Sequence, residues 1–258
     1  MADDKKNIDI KVVDGDYVGG LINSNTNKDE LKILFAFMDR IDCENISAKT
    51  VVFEHGEVEG FFGEKVISKD KMKNKTHRLG KIITLLHSDN RDMFSVIQVF
   101  KKIEFELGED GFWKLTLVCT EAAVRSIFKA DEISYLKFRL KNLLELSNKY
   151  SCLMYLKLEN VRKESIPNGE SVVKVKYSIE ELREFLKCNS SSYNEFKIFN
   201  QNILKQCCNE INSKTFLHYD YEPVDKDNKR FYTAVEFTVY DADVDYEYVA
   251  DGIRTAAV

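Results

Sequence analysis

Two helices joined by a short polar turn, between Ser178 and Thr215, constrain this chain more than any other stretch. Each predicted helix start carries a capping box, in which a hydroxyl and a carboxylate three residues later satisfy free backbone N–H groups of the first turn. Ser178 is followed by Glu181 in this way, and Ser192 by Glu195. The sequence therefore predicts a helix-turn-helix, a motif whose second helix enters a DNA groove.

The second of these helices is predicted to run from Asn194 to Asn212 and to be two-sided. At about 100° per residue, its apolar side opposes an arc of amides and cations. Lysine contacts phosphate or guanine, whereas Asn and Gln pair with adenine in the major groove, so the mixture suits base reading. A solvated helix face is the alternative, but the paired caps, the preceding helix and the hairpin that follows favour DNA binding. The arc consists of Asn194, Lys197, Gln201, Asn202, Lys205 and Asn209.

Residues on both sides of this helix extend the predicted DNA contact. Three serines precede it, where hydroxyls and free N–H groups either bind phosphate or only form the turn and cap. Tyr193 is open to three roles, namely stacking, phosphate contact or packing on the turn. Two predicted strands then form a hairpin wing with a basic tip. The residues concerned are Ser190, Ser191 and Ser192 before the helix, and Lys226, Lys229 and Arg230 at the hairpin tip.

Charge is distributed unevenly along the 258 residues. The formal net charge of −5 by itself argues against a polyanionic partner. Between Lys137 and Arg230, however, there are 17 Lys plus Arg against 13 Asp plus Glu, whereas residues 231–258 have 1 against 6. The acidic total therefore conceals a basic module that coincides with the helix pair and its wing.

The first half of the chain has the element order of another winged-helix domain. An early amphipathic helix is followed by an apolar helical stripe from Leu79 to Leu86, and residues 94–118 form a hairpin around the turn GEDG. This turn carries Glu109 and Asp110, which repel phosphate. We therefore interpret the first domain as a protein-contact module rather than a base reader.

The predicted fold class is α+β, with two tandem winged-helix domains joined by a linker helix. Residues 134–159 form one apolar-periodic run without Pro or Gly, which we interpret as the linker helix passing into the second domain. The predicted segments are a mobile N-terminal arm (1–27), the first domain (28–133), the principal DNA-binding domain (134–240) and an acidic C-terminal tail (241–258).

The sequence offers few signals for catalysis or cofactors. Six Cys occur without a C-x-x-C pair and without His at metal-ligand spacing, so we interpret them as reduced thiols. The P-loop motif and a His-x-His pair are absent, but Tyr is abundant, so a nicking enzyme stays open as an alternative, as does a purely structural interaction protein. No stretch approaches the ~20 apolar residues of a membrane span. We expect a cytoplasmic protein that is not an enzyme and holds no cofactor or metal.

Several motifs follow one another between about residues 135 and 240. A helix start with Lys, Tyr and Ser is followed by a leucine-rich helix, a Ser-Tyr entry, a Phe-Lys pair and a Glu-Ile-Asn exit. This ordered set resembles the second winged-helix domain of the initiator replication proteins of iteron-type theta plasmids. The first domain matches that family in its element order. The motif residues are Lys149, Tyr150 and Ser151, then Phe196 and Lys197, then Glu210, Ile211 and Asn212.

The resemblance implies that the second domain contacts one end of a repeated origin sequence, while the first makes the other, secondary DNA contact or the dimer interface. It also implies origin opening, and repression of the initiator's own gene by homodimers. The implied partners are double-stranded tandem repeats, a second copy in monomer–dimer equilibrium, the host initiator and the replicative helicase. A winged-helix transcriptional regulator without initiator activity is the alternative function.

Overall fold

The computed structural model divides the chain into two compact units, Met1–Leu140 and Lys141–Val258. The predicted N-terminal arm, apart from its last two residues, and the basic tip of the second hairpin lie outside the described residues. The predicted boundaries of the domains, arm and tail stay predictions. The described residues are 26–41, 49–81, 83–87, 94–123, 140–165, 171–188, 190–225, 232–240, 246–248 and 254–256.

In the first unit, helices are followed by antiparallel strands. The strands form a three-stranded sheet in the order β1-β5-β4 and a separate pair, β2-β3. The elements are α1 (Lys28–Arg40), β1 (Thr50–Phe53), α2 (Glu57–Phe62), α3 (Lys69–Leu79), β2 (Ile83–His87), β3 (Phe94–Gln98), β4 (Phe100–Leu107) and β5 (Trp113–Cys119).

Helix α1 is the central helix of this unit. A capping box starts it, because Asn27 Oδ1 accepts the Glu30 N–H at 3.0 Å and Glu30 Oε2 accepts the Asn27 N–H at 2.8 Å. Side chains from Glu30 to Met38 are buried around the whole helix, not only along the predicted stripe. Phe37 packs edge-on against Phe100 of β4, with ring centroids 5.0 Å apart. The predicted helix is confirmed, and its burial is more extensive than its sequence pattern indicates.

The predicted apolar helix from Leu79 to Leu86 is wrong. The helix of this region, α3, ends at Leu79, and Gly80 follows as its C-cap. The residues Ile83–His87 form strand β2, paired antiparallel with β3. Ile and Thr are residue types favoured in strands. Gly80 ends the preceding helix and separates it from this segment.

The predicted hairpin of residues 94–118 is confirmed for β4 and β5, which pair with each other, whereas its first residues, Phe94–Gln98, form β3 and pair with β2. Its turn depends on Gly111, whose φ of +82° lies in the left-handed region that favours glycine. At Gly108 a Cβ would lie 2.3 Å from Cε1 of His55, so a side chain there would have to displace the imidazole. The acidic tip of this wing is therefore a defined turn.

The second unit begins with two helices and a strand, which are followed by a second pair of helices and a pair of strands. Its main sheet is antiparallel in the order β6-β8-β7, and β9 pairs with β10 inside the predicted tail. The elements are α4 (Leu140–Glu145), α5 (Lys149–Ser165), β6 (Val172–Ser178), α6 (Ile179–Phe185), α7 (residues 196–214), β7 (His218–Asp225), β8 (Tyr232–Tyr240), β9 (Tyr246–Tyr248) and β10 (Arg254–Ala256).

The predicted linker run, residues 134–159, is interrupted within its described part. A short non-helical break separates α4 from α5. In this break the Ser147 N–H donates to Glu210 Oε1 at 2.8 Å, and Asn148 Oδ1 accepts the Tyr150 N–H at 3.0 Å. Periodicity does not reveal the break, because one of its stabilising groups comes from α7.

The core of the second unit lies on the inner face of its sheet. Phe237 on the central strand β8 neighbours Tyr177 of β6 at 6.1 Å between ring centroids, and Tyr219 of β7 at 5.8 Å. Buried side chains alternate along β8, with Val235 and Val239 on either side of this ring. The period-two pattern predicted for this strand is confirmed, and it gives α7 a firm support.

Candidate nucleic-acid interface

Helix α6 begins at the first predicted capping box, which is confirmed. Ser178 Oγ accepts the Glu181 N–H at 3.1 Å, and Glu181 Oε2 accepts the Ser178 N–H at 2.7 Å. The helix ends where Lys187 takes a left-handed φ of +54° and the Cys188 N–H returns to the Arg183 carbonyl at 2.9 Å. This closing turn fixes the direction in which the chain leaves α6 toward α7.

The second predicted capping box is wrong. The residues Ser191–Asn194 form a 3-10 turn, and Ser192 Oγ lies 2.8 Å from Ser190 Oγ instead of accepting a backbone N–H. The Tyr193 N–H donates to the Ser190 carbonyl at 3.0 Å, so a tight turn forms before the helix can start. Glu195 is the N-cap, and its side chain caps no backbone group. The helix consequently begins later than the sequence predicts.

Tyr193 packs on this turn. Its half-buried ring meets Phe199 edge-on, with centroids 6.5 Å apart. Its side chain also hydrogen-bonds with Tyr150 of α5, and burial together with this neighbour raises the pKa of Tyr150 to about 12. Of the three roles open to Tyr193 from the sequence, these contacts favour packing.

Helix α7 contains a wide turn in its middle. It consists of an α-helical segment Phe196–Phe199, a π-helical segment Asn200–Leu204 and an α-helical segment Lys205–Lys214. In the wide turn the Lys205 N–H donates to the Asn200 carbonyl, five residues earlier. The Tyr221 hydroxyl on β7 donates to Asn200 Oδ1 at 2.6 Å, so a strand of the wing contacts this turn directly. Such π turns are rare and are frequent at functional sites.

The wide turn keeps one side of α7 buried along its length. Buried side chains recur at every fourth position, and in a regular α-helix such a row drifts by about 40° at each step. The π segment fits one more residue into its turn and so takes up part of this drift. The constant rotation of about 100° per residue, which the sequence analysis assumed, therefore does not hold in the middle of α7. The buried row is Phe199, Ile203, Cys207 and Ile211, with Leu204 beside it.

The opposite side of α7 exposes most of the predicted arc. Within the described parts of the chain, none of these exposed side chains has a hydrogen-bond or ion-pair partner. The sixth member, Asn194, lies in the 3-10 turn, where its Oδ1 accepts a hydrogen bond from Arg183. The three predicted serines are also exposed, at the start of the same surface. We call Lys197, Gln201, Asn202, Lys205 and Asn209 the α7 face.

The end of α7 is fixed to the wing and to α5. Asn212 Nδ2 donates to the Tyr219 carbonyl at 2.8 Å, and its Oδ1 accepts the Tyr219 N–H at 3.0 Å. Glu210 accepts hydrogen bonds from Lys214 Nζ at 2.8 Å and from Ser147 Oγ at 2.5 Å. Burial acts to raise the pKa of Glu210, but these hydrogen bonds outweigh it and lower the pKa to about 2. The α7 face is thus presented by a helix held at its middle and its end.

The hairpin wing predicted after α7 is confirmed as β7 and β8. The ring of Phe196, in the first turn of α7, lies 4.7 Å from the ring of Tyr232 at the start of β8. The basic residues Lys226, Lys229 and Arg230 fall between the two strands and lie outside the described residues. Their contribution to DNA binding stays a prediction.

A second candidate face lies on α3 of the first unit, and the sequence interpretation missed it. Helices α2 and α3 are joined by a short connection, and the β4–β5 wing follows, so α3 holds the place that α7 holds in the second unit. Ser68 caps α3 by accepting the Lys71 N–H at 3.4 Å. We call the exposed side chains Lys69, Lys73, Asn74 and His77 the α3 face.

The sequence did carry a signal for the α3 face. The segment KDKMKNKTHRL follows a Ser N-cap, and only Met72 and Leu79 of its residues are buried. Cations in the first turn of a helix, such as Lys69, oppose the helix dipole and are unfavourable for folding alone. A lysine-rich helix between two glycines, with few apolar anchors, is the pattern that would have indicated this face.

Each unit therefore places two helices before a β-hairpin, and this arrangement defines a protein of two winged-helix domains. Sequence models of one family agree with the arrangement. A model described as "Initiator Replication protein, WH1" matches residues 20–159, and one described as "Initiator Rep protein, WH2" matches residues 178–239. The chain belongs to this family of replication initiator proteins, and the resemblance inferred from its motifs is confirmed.

A solved structure agrees in fold. The crystal structure of Pi initiator protein in complex with iteron DNA matches with a TM-score of 0.72 and 17% identity, covering 93% of this chain and 100% of that chain. Domains 2 and 3 of RctB match with a TM-score of 0.44 and 13% identity, over 83% and 81% of the two chains. A search of curated protein sequences returns no significant match.

Two further observations concern only the residues that the structure describes. No group of three or more His, Cys, Asp and Glu is placed so that it could hold a metal ion. None of the described helices is both long and apolar enough to cross a membrane.

Proposed function

We propose that this protein is a plasmid replication initiator that binds repeated origin DNA, with the α7 face reading bases. The observation that carries the proposal is the α7 face itself. Its cations and amides project from a helix whose other side is buried. None of them has a hydrogen-bond or ion-pair partner among the described residues. Amides pair with adenine and lysines contact guanine or phosphate, so this composition suits sequence reading in a major groove.

The second winged-helix domain is the principal reader in this proposal, and the first makes an additional contact through the α3 face. The α3 face is cationic, which suits contact with phosphates. Family membership supports a replication role over a purely regulatory one, and a relative of the same fold is described in complex with iteron DNA. Two DNA-contacting domains in one chain suit a long repeat better than a short operator.

The remaining parts of the proposal follow from this role. The protein works in the cytoplasm without catalysis, opens the origin by binding, and recruits the host initiator and the replicative helicase. A monomer–dimer equilibrium links initiation to repression of its own gene.

A plasmid maintenance assay, with the gene and its flanking DNA as the only replicon, tests the replication role. A regulator without initiator activity would bind the same DNA and fail to maintain the plasmid.

A binding selection tests the DNA contact directly. The full chain is mixed with random duplexes at low salt, and the recovered sequences are compared with repeats flanking the gene. We expect a repeat to be recovered, with affinity falling as salt rises by a log–log slope of about −0.9 per phosphate contacted. Recovery of random DNA only, at every salt concentration, would contradict sequence-specific binding.

Variants then locate the contact on the α7 face. The double variant Lys197→Ala, Lys205→Ala is expected to bind the recovered repeat about 100-fold more weakly, since each lysine contributes ~1.4 kcal/mol. The matched control is Lys174→Ala on β6, whose side chain is 65% exposed and pairs with Glu236 at 3.4 Å. Equal affinities for the double variant, the control and the wild type would show that DNA binds elsewhere.

A further inference from the structure

The N-terminal turn of α1 is connected to the middle and end of α3 by two ion pairs. Lys75 Nζ lies 2.5 Å from Asp29 Oδ2, although the two residues are 46 positions apart in the sequence. Arg78 Nε donates to Glu30 Oε1 across 48 positions. These side chains line one cavity of about 50 Å³, together with Phe62 and residues of both helices. Two ion pairs and the side chains around this cavity therefore join α1 to α3.

Both acidic residues of this junction are well shielded from solvent. Only 8% of the Glu30 side chain and 19% of the Asp29 side chain are exposed, and Lys75 is 13% exposed, with its Nζ 3.7 Å from the centroid of the Phe62 ring. Glu30 has two duties, since its Oε2 accepts the Asn27 N–H that starts α1 while its Oε1 accepts from Arg78. The Arg78 side chain is 47% exposed, but its partner Glu30 is shielded, and a hydrogen-bonded pair with one shielded member fixes geometry better than a pair of freely exposed side chains.

The cations of α3 are thereby sorted into two rows. One row is bound by carboxylates: Lys71 Nζ lies 2.6 Å from Glu64, and Lys75 and Arg78 contact Asp29 and Glu30. Lys71 and Arg78 of this row are themselves 55% and 47% exposed. The other row, Lys69 and Lys73 of the α3 face, is exposed and has no ion pair with any described residue. The helix cannot turn about its axis without breaking the pairs of the first row, so those pairs set which lysines stay unpaired on the surface.

We propose that Glu30 is a positioning residue for specific DNA binding: by holding Arg78 it orients the α3 face and keeps that arginine from binding phosphate indiscriminately. This inference rests on the proposed function of the α3 face. It assigns opposite effects to one carboxylate. Removing its charge weakens binding to the cognate repeat and strengthens binding to unrelated DNA.

The test is Glu30→Gln in the full chain, because glutamine keeps an oxygen for the Asn27 N–H while removing the charge. Affinity is measured by fluorescence anisotropy for the selected repeat and for a scrambled duplex of equal length, over a series of salt concentrations. We expect about five-fold weaker binding to the repeat, two- to three-fold tighter binding to the scrambled duplex, and a salt slope steeper by about 0.9, the value for one added phosphate contact.

Two further variants separate positioning from folding and from bulk charge. The double variant Glu30→Gln, Arg78→Gln is expected to return the salt slope to the wild-type value while affinity for the repeat stays low. Glu106→Gln, an exposed carboxylate on β4, makes the same change in net charge and is expected to alter neither affinity. Thermal melting by circular dichroism accompanies each variant.

The outcomes are distinct. A Glu30→Gln protein that binds both duplexes more weakly by the same factor, with an unchanged salt slope, would assign Glu30 a purely structural role and overturn the inference. If Lys69→Ala and Lys73→Ala also leave every affinity unchanged, the proposed function of the α3 face fails as well. If those two variants weaken binding while Glu30→Gln does nothing, only the positioning inference fails.

Discussion

The two candidate recognition helices of this molecule, α3 and α7, present different side chains. The α7 face mixes three amides with two lysines, whereas the α3 face has two lysines, one Asn and one His. Helix α3 is fixed to its unit by ion pairs, whereas α7 combines neutral hydrogen bonds of Asn212 and Tyr221 with those of the charged Glu210. Amides discriminate between bases and cations bind the uniform backbone, so under the proposed function α7 reads bases and α3 contacts phosphates.

Loss of amides from α7 is expected to have the largest effect on the preference for the repeat over other DNA. The double variant Gln201→Ala, Asn202→Ala is expected to reduce the preference for the repeat over a scrambled duplex by about 30- to 100-fold, since a good bidentate contact contributes ~1–3 kcal/mol of discrimination. Affinity for the scrambled duplex should stay the same. Competition titrations measure both quantities, and Gln206→Ala, an exposed amide outside the α7 face, is the control. Equal loss on both duplexes would assign these amides to backbone contact.

Loss of cations from α3 should have a smaller and less selective effect. The double variant Lys69→Ala, Lys73→Ala is expected to weaken binding to repeat and scrambled duplex alike, by about ten-fold, and to reduce the salt slope by about 1.8 for two phosphate contacts. The measurement is anisotropy over a salt series, with Lys174→Ala as the control. A selective loss on the repeat, with an unchanged slope, would make α3 a base reader and remove the contrast with α7.

The smallest expected effect concerns the way α7 is held. Glu210 has its pKa lowered from 4.5 to about 2, so its hydrogen bonds stabilise the fold above pH 4.5 and this contribution disappears as the pH falls toward 2. Glu210→Gln is therefore expected to cost about 1 kcal/mol of unfolding free energy at pH 7, with the difference from wild type shrinking in acid.

The single Trp, Trp113, makes this last prediction specific to one unit. It lies on β5 of the first unit, so its fluorescence transition is expected not to move in Glu210→Gln, while the circular dichroism transition falls. Glu222→Gln, an exposed carboxylate on β7, should change neither signal. A shift of both transitions would show that the charged anchor of α7 also stabilises the first unit.

The parts of the fold that the sequence predicted correctly depend on local signals. The Ser178 capping box, the alternation along β8 and the glycine turn of the first hairpin are each encoded within a few residues. The α7 face was predicted for the same reason, since amphipathic periodicity survives a change of helix type. Its five exposed members are placed as the sequence indicated, and their role in DNA binding stays a prediction.

The parts that failed depend on partners far away in the chain. The π turn of α7 is contacted by Tyr221 on β7, and the break between α4 and α5 is stabilised by Glu210 on α7. The Ser192 capping box gave way to a 3-10 turn packed through Tyr193 against α5. The α3 face was missed because the apolar residues after Gly80, which form a strand, attracted the helix assignment. Each error arose where a tertiary contact overrode a local preference.

The π turn affects how the length of α7 can change in evolution. It holds one residue more than a regular α-helical turn, so it marks a place where chain length can vary inside a helix. Deleting one residue from Asn200–Leu204 would let the wide turn close into a regular α-helical turn, so the segments on either side would keep nearly the same relative direction. Lys197 would then still face the same side as Lys205 and Asn209. The same deletion elsewhere in the helix would turn its two parts by about 100° relative to each other.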